Sequence, residues 1–124
     1  MDLKQKIEEL EKRREIASKG GGDKAIEKQV SMGKLTARDR INNLLDADSF
    51  HEYDLFVQHD ARDFGMDKKE LHGDGVIVGT GTIHGRPISI FAQDFTVVGG
   101  SLGRMHAGKI TKIMDHALKM RMPL

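Results

Sequence analysis

Residues 75–120 constrain the architecture more firmly than any other stretch. "GVIVGTGTIHGRPISIFAQDF" gives two apolar runs rich in Val, Ile and Phe, broken at "HGRP". Such residues suit a pleated, half-buried surface. Gly85 permits the positive φ of a tight turn, and Pro87 fits a strand start or an edge. After the second run come Gly99 and Gly100, then a helical pattern from Leu102 to Met120. Its Met105, Ile110, Ile113, Met114, Ala117 and Leu118 keep close to i, i+3, i+4 spacing. A strand–helix–strand unit needs its return strand to bury the helix's apolar face. "MPL" at 122–124 reads as the entry to that strand. We therefore expect an incomplete α/β domain, with the face of its last helix bare and prone to self-association.

Upstream the pattern is helical. Asp2 and Gln5 stand in capping-box positions, and Leu3, Ile7, Leu10 and Ala17 form a stripe that Arg14 interrupts. Gly20, Gly21 and Gly22 stop that helix, since glycine is favoured in the left-handed C-cap conformation. A short helix over Lys24–Met32 follows, with Ile26 and Val30 on one side. In "GKLTARDRINNLL", Thr36 caps a third helix, Asp39 lies in its first turn, and Ile41, Leu44 and Leu45 form its buried stripe. "FHEYDLFV" alternates partly like a strand, and "QHDARDFGMDKKELHGDG" is a long polar loop of the kind that often carries function. The division is a helical arm over 1–48 and an α/β unit over 49–124.

Composition removes several classes of function. The chain has no cysteine, so thiol catalysis, disulfides and thiolate metal sites are excluded. That suits a reducing cytoplasm. A formal net charge of +1 lacks the basic excess expected of a nucleic-acid binder. No apolar run approaches the ~20 residues of a bilayer span, and the charged N-terminus has no signal core. His59 with Asp60 and Asp63 is a weak metal set, better read as a solvated loop, so no metal ligand is assigned. Asp115 and His116 point in different directions on a helix and make no dyad. "GTGTIH" has His84 where a dinucleotide fingerprint needs glycine, and a bulge or close strand packing explains its glycines.

The junction "QDFTVVGGSLG" holds the most chemistry. Gly99 and Gly100 open conformations closed to other residues and let a ligand approach the main chain. Ser101 can cap a helix starting at Leu102, whose free N–H groups attract an anion such as a phosphate or thioester oxygen. From spacing alone, a tight strand-to-helix turn without a ligand is the preferred reading. Asp94, after an apolar strand, either bonds backbone N–H groups of the turn or acts on a substrate. No catalytic residue is assigned.

Taken together, "GGGDKAIEKQ", "GKLTARDRINNLLD", "DFGMDKK", "GDGVIVGTGTIHGRP", "QDFTVVGGSLG" and "KIMDHALKM" make the chain resemble a known family. It is similar to the N-terminal part of the carboxyltransferase subunit of biotin-dependent acyl-CoA carboxylases. That group includes propionyl-CoA carboxylase beta chains, methylmalonyl-CoA decarboxylase alpha chains and transcarboxylase central subunits. The resemblance implies the start of a crotonase-like β-β-α spiral. It also implies carboxyl transfer between carboxybiotin and the α-carbon of an acyl-CoA. Biotin would arrive on a partner protein, with biotin carboxyl carrier and biotin carboxylase subunits in the full complex and a homo-oligomeric assembly. Phe95, Thr96, Val97, Val98, Gly99, Gly100 and Ser101 would form part of the CoA-binding wall. The glycine-rich oxyanion segment and the biotin-facing half that the family carries have no counterpart in these residues, so no turnover by this chain alone is expected. The competing readings are a subunit-assembly module without ligand binding and a small nucleotide-binding domain using the Gly99–Ser101 turn.

Overall fold

The computed structural model describes all 124 residues. Three helices lead: α1 (Leu3–Ser18), α2 (Asp23–Ser31) and α3 (Ala37–Leu44). Three strands follow, β1 (His51–Tyr53), β2 (Val76–Ile83) and β3 (Arg86–Gln93), and then α4 (Arg104–Met120). The strands form one antiparallel sheet in the order β1-β2-β3.

The hairpin has a two-residue loop, because Ile83 pairs with Arg86. Both loop residues take positive φ, 50° at His84 and 76° at Gly85. That is the geometry whose twist matches a hairpin. His84 does not hold this conformation unaided. The Asp46 carboxylate accepts from the N–H groups of His84 (2.9 Å) and Gly85 (2.8 Å) and from the Thr82 hydroxyl (2.6 Å). These bonds hold the Asp46 carboxyl below its ordinary value near 3.8, Thr82 first and then the two backbone donors.

β2 reads as a continuous apolar run because both faces of the sheet are covered. On one face Ala37, Ile41 and Leu45 pack with Ile77 and Ile88. On the other, Val76 and Val78 meet Ile113 of α4. Leu44, expected on the inner stripe, points outward instead, since one helical residue turns the chain by about 100° relative to Leu45. The glycines of "GTGTIH" serve close packing in a regular ladder. A Cβ at Gly79 would lie 2.1 Å from the His51 carbonyl, and one at Gly81 would lie 2.5 Å from Leu45. β1 is shorter than its sequence suggests because Asp54 takes φ 58° and ends it.

α1 has the expected capping box, with Gln5 N–H donating to Asp2 and the Gln5 side chain accepting from Asp2 N–H. Its stripe is not buried, however. Leu3, Ile7 and Leu10 are exposed, and only Ala17 is enclosed. α3 is capped by Thr36 as expected.

The last helix differs most from its sequence reading. It starts at Arg104, with Gly103 as an N-cap that makes no side-chain bond. Ser101 is exposed and extended and does not cap it. The chain must first leave the left-handed Gly99–Gly100 pair, and three more residues pass before helical dihedrals begin. The inner face of α4 is also not bare. Ile113 and Ala117 are buried against β2 and β3, while Met114 and Leu118 stay exposed. Beyond the left-handed Arg121, the Pro123 carbonyl accepts from Ser89 N–H on the β3 edge (2.8 Å), and residues 122–124 form no further strand.

Candidate functional site: the turn between β3 and α4

The turn after β3 is built from its own bonds. Asp94 is buried, and its Oδ1 accepts from Thr96 N–H (2.9 Å) and from the Thr96 hydroxyl (2.6 Å). Its backbone N–H donates to the Gly75 carbonyl (2.7 Å). Asp94 is therefore a turn-holding group bonded to Thr96, not to the glycine pair and not to open solvent. Thr96 Oγ1 also accepts from Gly21 N–H (3.0 Å), which docks the end of the arm onto the turn.

That docking explains more of the glycine run than helix termination does. A Cβ at Gly20 would lie 2.3 Å from Asp94 Oδ2, and one at Gly21 would lie 1.8 Å from the Thr96 carbonyl oxygen. The sequence marks the glycines, but their partner lies 75 residues away and carries no local signal.

Past Thr96 the backbone bends through three successive left-handed residues: Val98 (φ 46°), Gly99 (φ 61°) and Gly100 (φ 67°). Glycine adopts this freely, but a β-branched residue there is strained. The seven expected wall residues divide by exposure. Phe95 (69%) and Val98 (55%) project outward, with Gly99 and Ser101 also exposed. Val97 and Gly100 are buried and shape the turn from beneath, and Thr96 is half-buried.

One N–H at the start of α4 already has an anionic partner. Asp74, itself buried, places Oδ2 2.9 Å from His106 N–H and so supplies the negative charge the helix start favours. His106 is fully enclosed, with Nδ1 2.8 Å from the Asp74 carbonyl. A carbonyl only accepts, so Nδ1 carries the proton and Nε2 presents its lone pair to the Gln93 amide at 3.4 Å. One turn on, buried Lys109 donates to the carbonyls of Gly73 (2.8 Å) and Val76 (2.5 Å). Burial lowers its ammonium below the ordinary lysine range, against the pull of Glu52, Asp54 and Asp74. These two polar residues bolt α4 to the entry of β2. Their position was readable, because 106, 109, 113 and 117 fall on one helical face.

On the other side of Phe95 lies a groove of about 510 Å³ between α2, residues 32–40 and the end of β3. Lys28, Lys34 and Arg40 line it with Phe95 and Thr96, and no acidic residue does.

The remaining candidates do not converge. Asp60 pairs with Arg104 (2.7 Å), His59 Nε2 meets the Lys69 carbonyl (2.8 Å), and no cluster of three potential metal ligands forms. His116 lies edge-on to Tyr53, with ring centroids 5.7 Å apart. No helix is long and apolar enough to cross a membrane.

Known proteins share this arrangement. The propionyl-CoA carboxylase beta chain of Cereibacter sphaeroides is 53% identical over 122 residues, covering 98% of this chain and 24% of that protein. The methylmalonyl-CoA decarboxylase subunit alpha of Veillonella parvula is 52% identical, with the same coverage of both. The transcarboxylase 12S structure, solved as a hexamer assembly with methylmalonyl-coenzyme A and methylmalonic acid bound, superposes with a TM-score of 0.94 at 45% identity. The superposition covers 97% of this chain and 24% of that one, so the chain spans about a quarter of the length of its relatives. Residues 28–124, holding α3, the whole sheet, the strained turn and α4, match the carboxyl transferase domain, and the chain belongs to that family.

Proposed function

We propose that the chain forms part of the acyl-CoA wall of a biotin-dependent carboxyltransferase, with the turn Phe95–Ser101 lying along the carrier. The observation that carries this is the Val98 backbone. A β-branched residue at φ 46°, followed by two left-handed glycines, stores strain of roughly 1–3 kcal/mol at an exposed turn. Such strain recurs at ligand clamps, and here it turns main chain outward between the exposed side chains of Phe95 and Val98. Kinship to a structure with a bound acyl-CoA supports the same ligand class.

The reaction in this reading moves a carboxyl group between carboxybiotin and the α-carbon of a short acyl-CoA, propionyl or methylmalonyl in type. An enolate at the thioester needs preorganised N–H donors rather than a nucleophile. Biotin enters only as a carboxyl donor carried by a partner, and no residue of this chain is assigned to it. The chain supplies carrier binding, and the assembly includes further copies together with carboxyl carrier and biotin carboxylase subunits.

Calorimetry with propionyl-CoA tests the reading. Wild-type protein binds, and Ser101→Glu, which sets an anion on the exposed wall without touching the core, weakens binding by at least about tenfold, equivalent to ~1.4 kcal/mol. Absence of binding by the wild-type chain would refute it. A turnover assay with carboxybiotin is expected to give no product from these 124 residues alone.

A further inference from the structure

α1 carries a stripe that neither the fold nor carrier binding uses. Leu3, Ile7, Leu10, Arg14 and Ala17 succeed one another at intervals of 4, 3, 4 and 3 residues. A mean period of about 3.5 is the seam that one helix presents to another. Only Ala17, at the inner end, is enclosed. Exposure then climbs outward, from 39% at Leu10 through 48% at Ile7 to 73% at Leu3. The helix is complete and capped, yet its 16 residues barely exceed the ~12–15 below which an unpacked helix is marginal in water. Its first turn holds no acid and does hold Lys4, against the dipole. A helix formed in this way gains from a partner along the seam.

Arg14 decides the direction of that partner. It belongs to none of the ion pairs in the chain. Two copies of α1 side by side in parallel would set Arg14 against Arg14 inside the seam. In an antiparallel pair, Ile7 of each copy meets Leu10 of the other about a twofold axis. Arg14 then lies over the other copy's Leu3, with its stem on apolar surface and its head in water. The flanking charges agree. Lys4 faces Glu11 of the other copy, which brings to that helix start the negative charge its own first turn lacks. Lys6 faces Arg13, whose charge Glu9 already offsets within the same helix. At the inner end, Arg14 lines a groove of about 830 Å³ with Phe50, Leu55 and Phe56. The other copy's exposed Met1 and Leu3 arrive there.

We infer that α1 is a self-recognition element, through which two copies of this chain join by antiparallel pairing with Ile7 and Leu10 at its centre. The self-association expected of α4 thus has another seat, since the inner face of α4 is covered by β2 and β3. The pairing needs no ligand and stands apart from the acyl-CoA reading. Two short helices bury less than the ~1,200 Å² of a stable interface, so the dimer is weak and concentration-dependent.

Sedimentation equilibrium of the full chain, from roughly 10 μM to roughly 1 mM, suits a contact of that strength. Wild type is expected to pass from monomer towards dimer across this range. Leu10→Glu is expected to weaken the dimer at least about tenfold. It should keep its helix content and its urea midpoint at low concentration, because the side chain is exposed in the single chain. Leu118→Glu, on the outer side of α4, is expected to leave the dimer unchanged. The chain has no cysteine, so single-cysteine variants read the orientation. Leu3→Cys mixed with Arg14→Cys is expected to give the mixed disulfide, and neither variant alone is expected to cross-link. Like positions lie about 16 Å apart along an antiparallel pair at ~1.5 Å per residue, beyond the ~7 Å Cα separation a disulfide can span. A monomer throughout, a dimer that survives Leu10→Glu or is lost with Leu118→Glu, or cross-linking of either cysteine variant to itself overturns the inference.

Discussion

Gly21→Ala is the sharpest test of how the helical arm is joined to the rest. The added Cβ would lie 1.8 Å from the Thr96 carbonyl oxygen and 2.5 Å from its carbon, where ordinary contact begins at 3.4 Å. The obstacle is backbone, so no rotamer change relieves it. Either the 94–97 turn moves or the arm lifts away. Overpacking of this kind costs about 1–3 kcal/mol. Lifting also breaks the bond from Gly21 N–H to Thr96 Oγ1, a further ~0.5–1.5 kcal/mol. The expected loss is about 2–4 kcal/mol, a large share of the ~5–15 kcal/mol that holds a domain together. Urea unfolding followed by circular dichroism reads it as a midpoint lowered by about 1–3 M. Gly108→Ala is the control: nothing lies within 4 Å of its added Cβ, and it sits inside α4. It should stabilise by about 0.5–1 kcal/mol, from helix propensity alone. If Gly21→Ala unfolds at the wild-type midpoint, the arm is not docked on the turn and the Gly21–Thr96 contact does not hold it.

Three further outcomes follow from buried or bonded charges. Arg38 donates to both carboxylate oxygens of Glu52 (2.9 and 3.1 Å) and to the Ser18 carbonyl (3.2 Å), so it joins α1, α3 and β1. Arg38→Ala should cost about 2–3 kcal/mol, with Glu52→Gln in the same chain recovering part of it in a double-mutant cycle. The carboxyl of Asp46 titrates lower when folded than when unfolded, so its stabilisation is present above about pH 3.8 and lost as pH falls through the folded value. Asp46→Asn should therefore unfold more readily at neutral pH, with the gap to wild type closing in acid. Lys109 has the opposite sign. Its lowered folded value means that the unfolded state binds the extra proton, so stability rises with pH from that value up to about 10.5. Denaturation midpoints followed through the alkaline range up to about pH 10.5 should show this rise in wild type and lose it in Lys109→Met, and parallel slopes would refute it.

The elements that report locally were legible. Thr36 and Asp2 announce their helices because a cap acts over three residues, and "HGRP" announces a hairpin because its turn is made by its own residues. What escaped was the long-range partner of each local signal. Asp46 looks like the polar end of a helix, yet it holds a turn 38 residues away. Gly21 looks like a stop signal, yet it is the point where two main chains nearly touch. Ser101 has the right chemistry for a cap and stands too early, since Gly99 and Gly100 delay the helix to Arg104.

A helix start after a Gly-Gly-Ser looks like an anion site only while its N–H groups are taken to be free. Asp74, at φ 47° in the turn before β2, already faces them, and His106 and Lys109 lock that turn in place. Asp74 thus offsets part of the α4 dipole from within the protein. What the junction exposes is then the strained Val98 backbone and the Phe95 ring, while Lys28, Lys34 and Arg40 line a groove on the arm side. If the turn lies along an acyl-CoA as proposed, the Gly21–Thr96 bond, which holds the arm to that turn, should affect both stability and affinity.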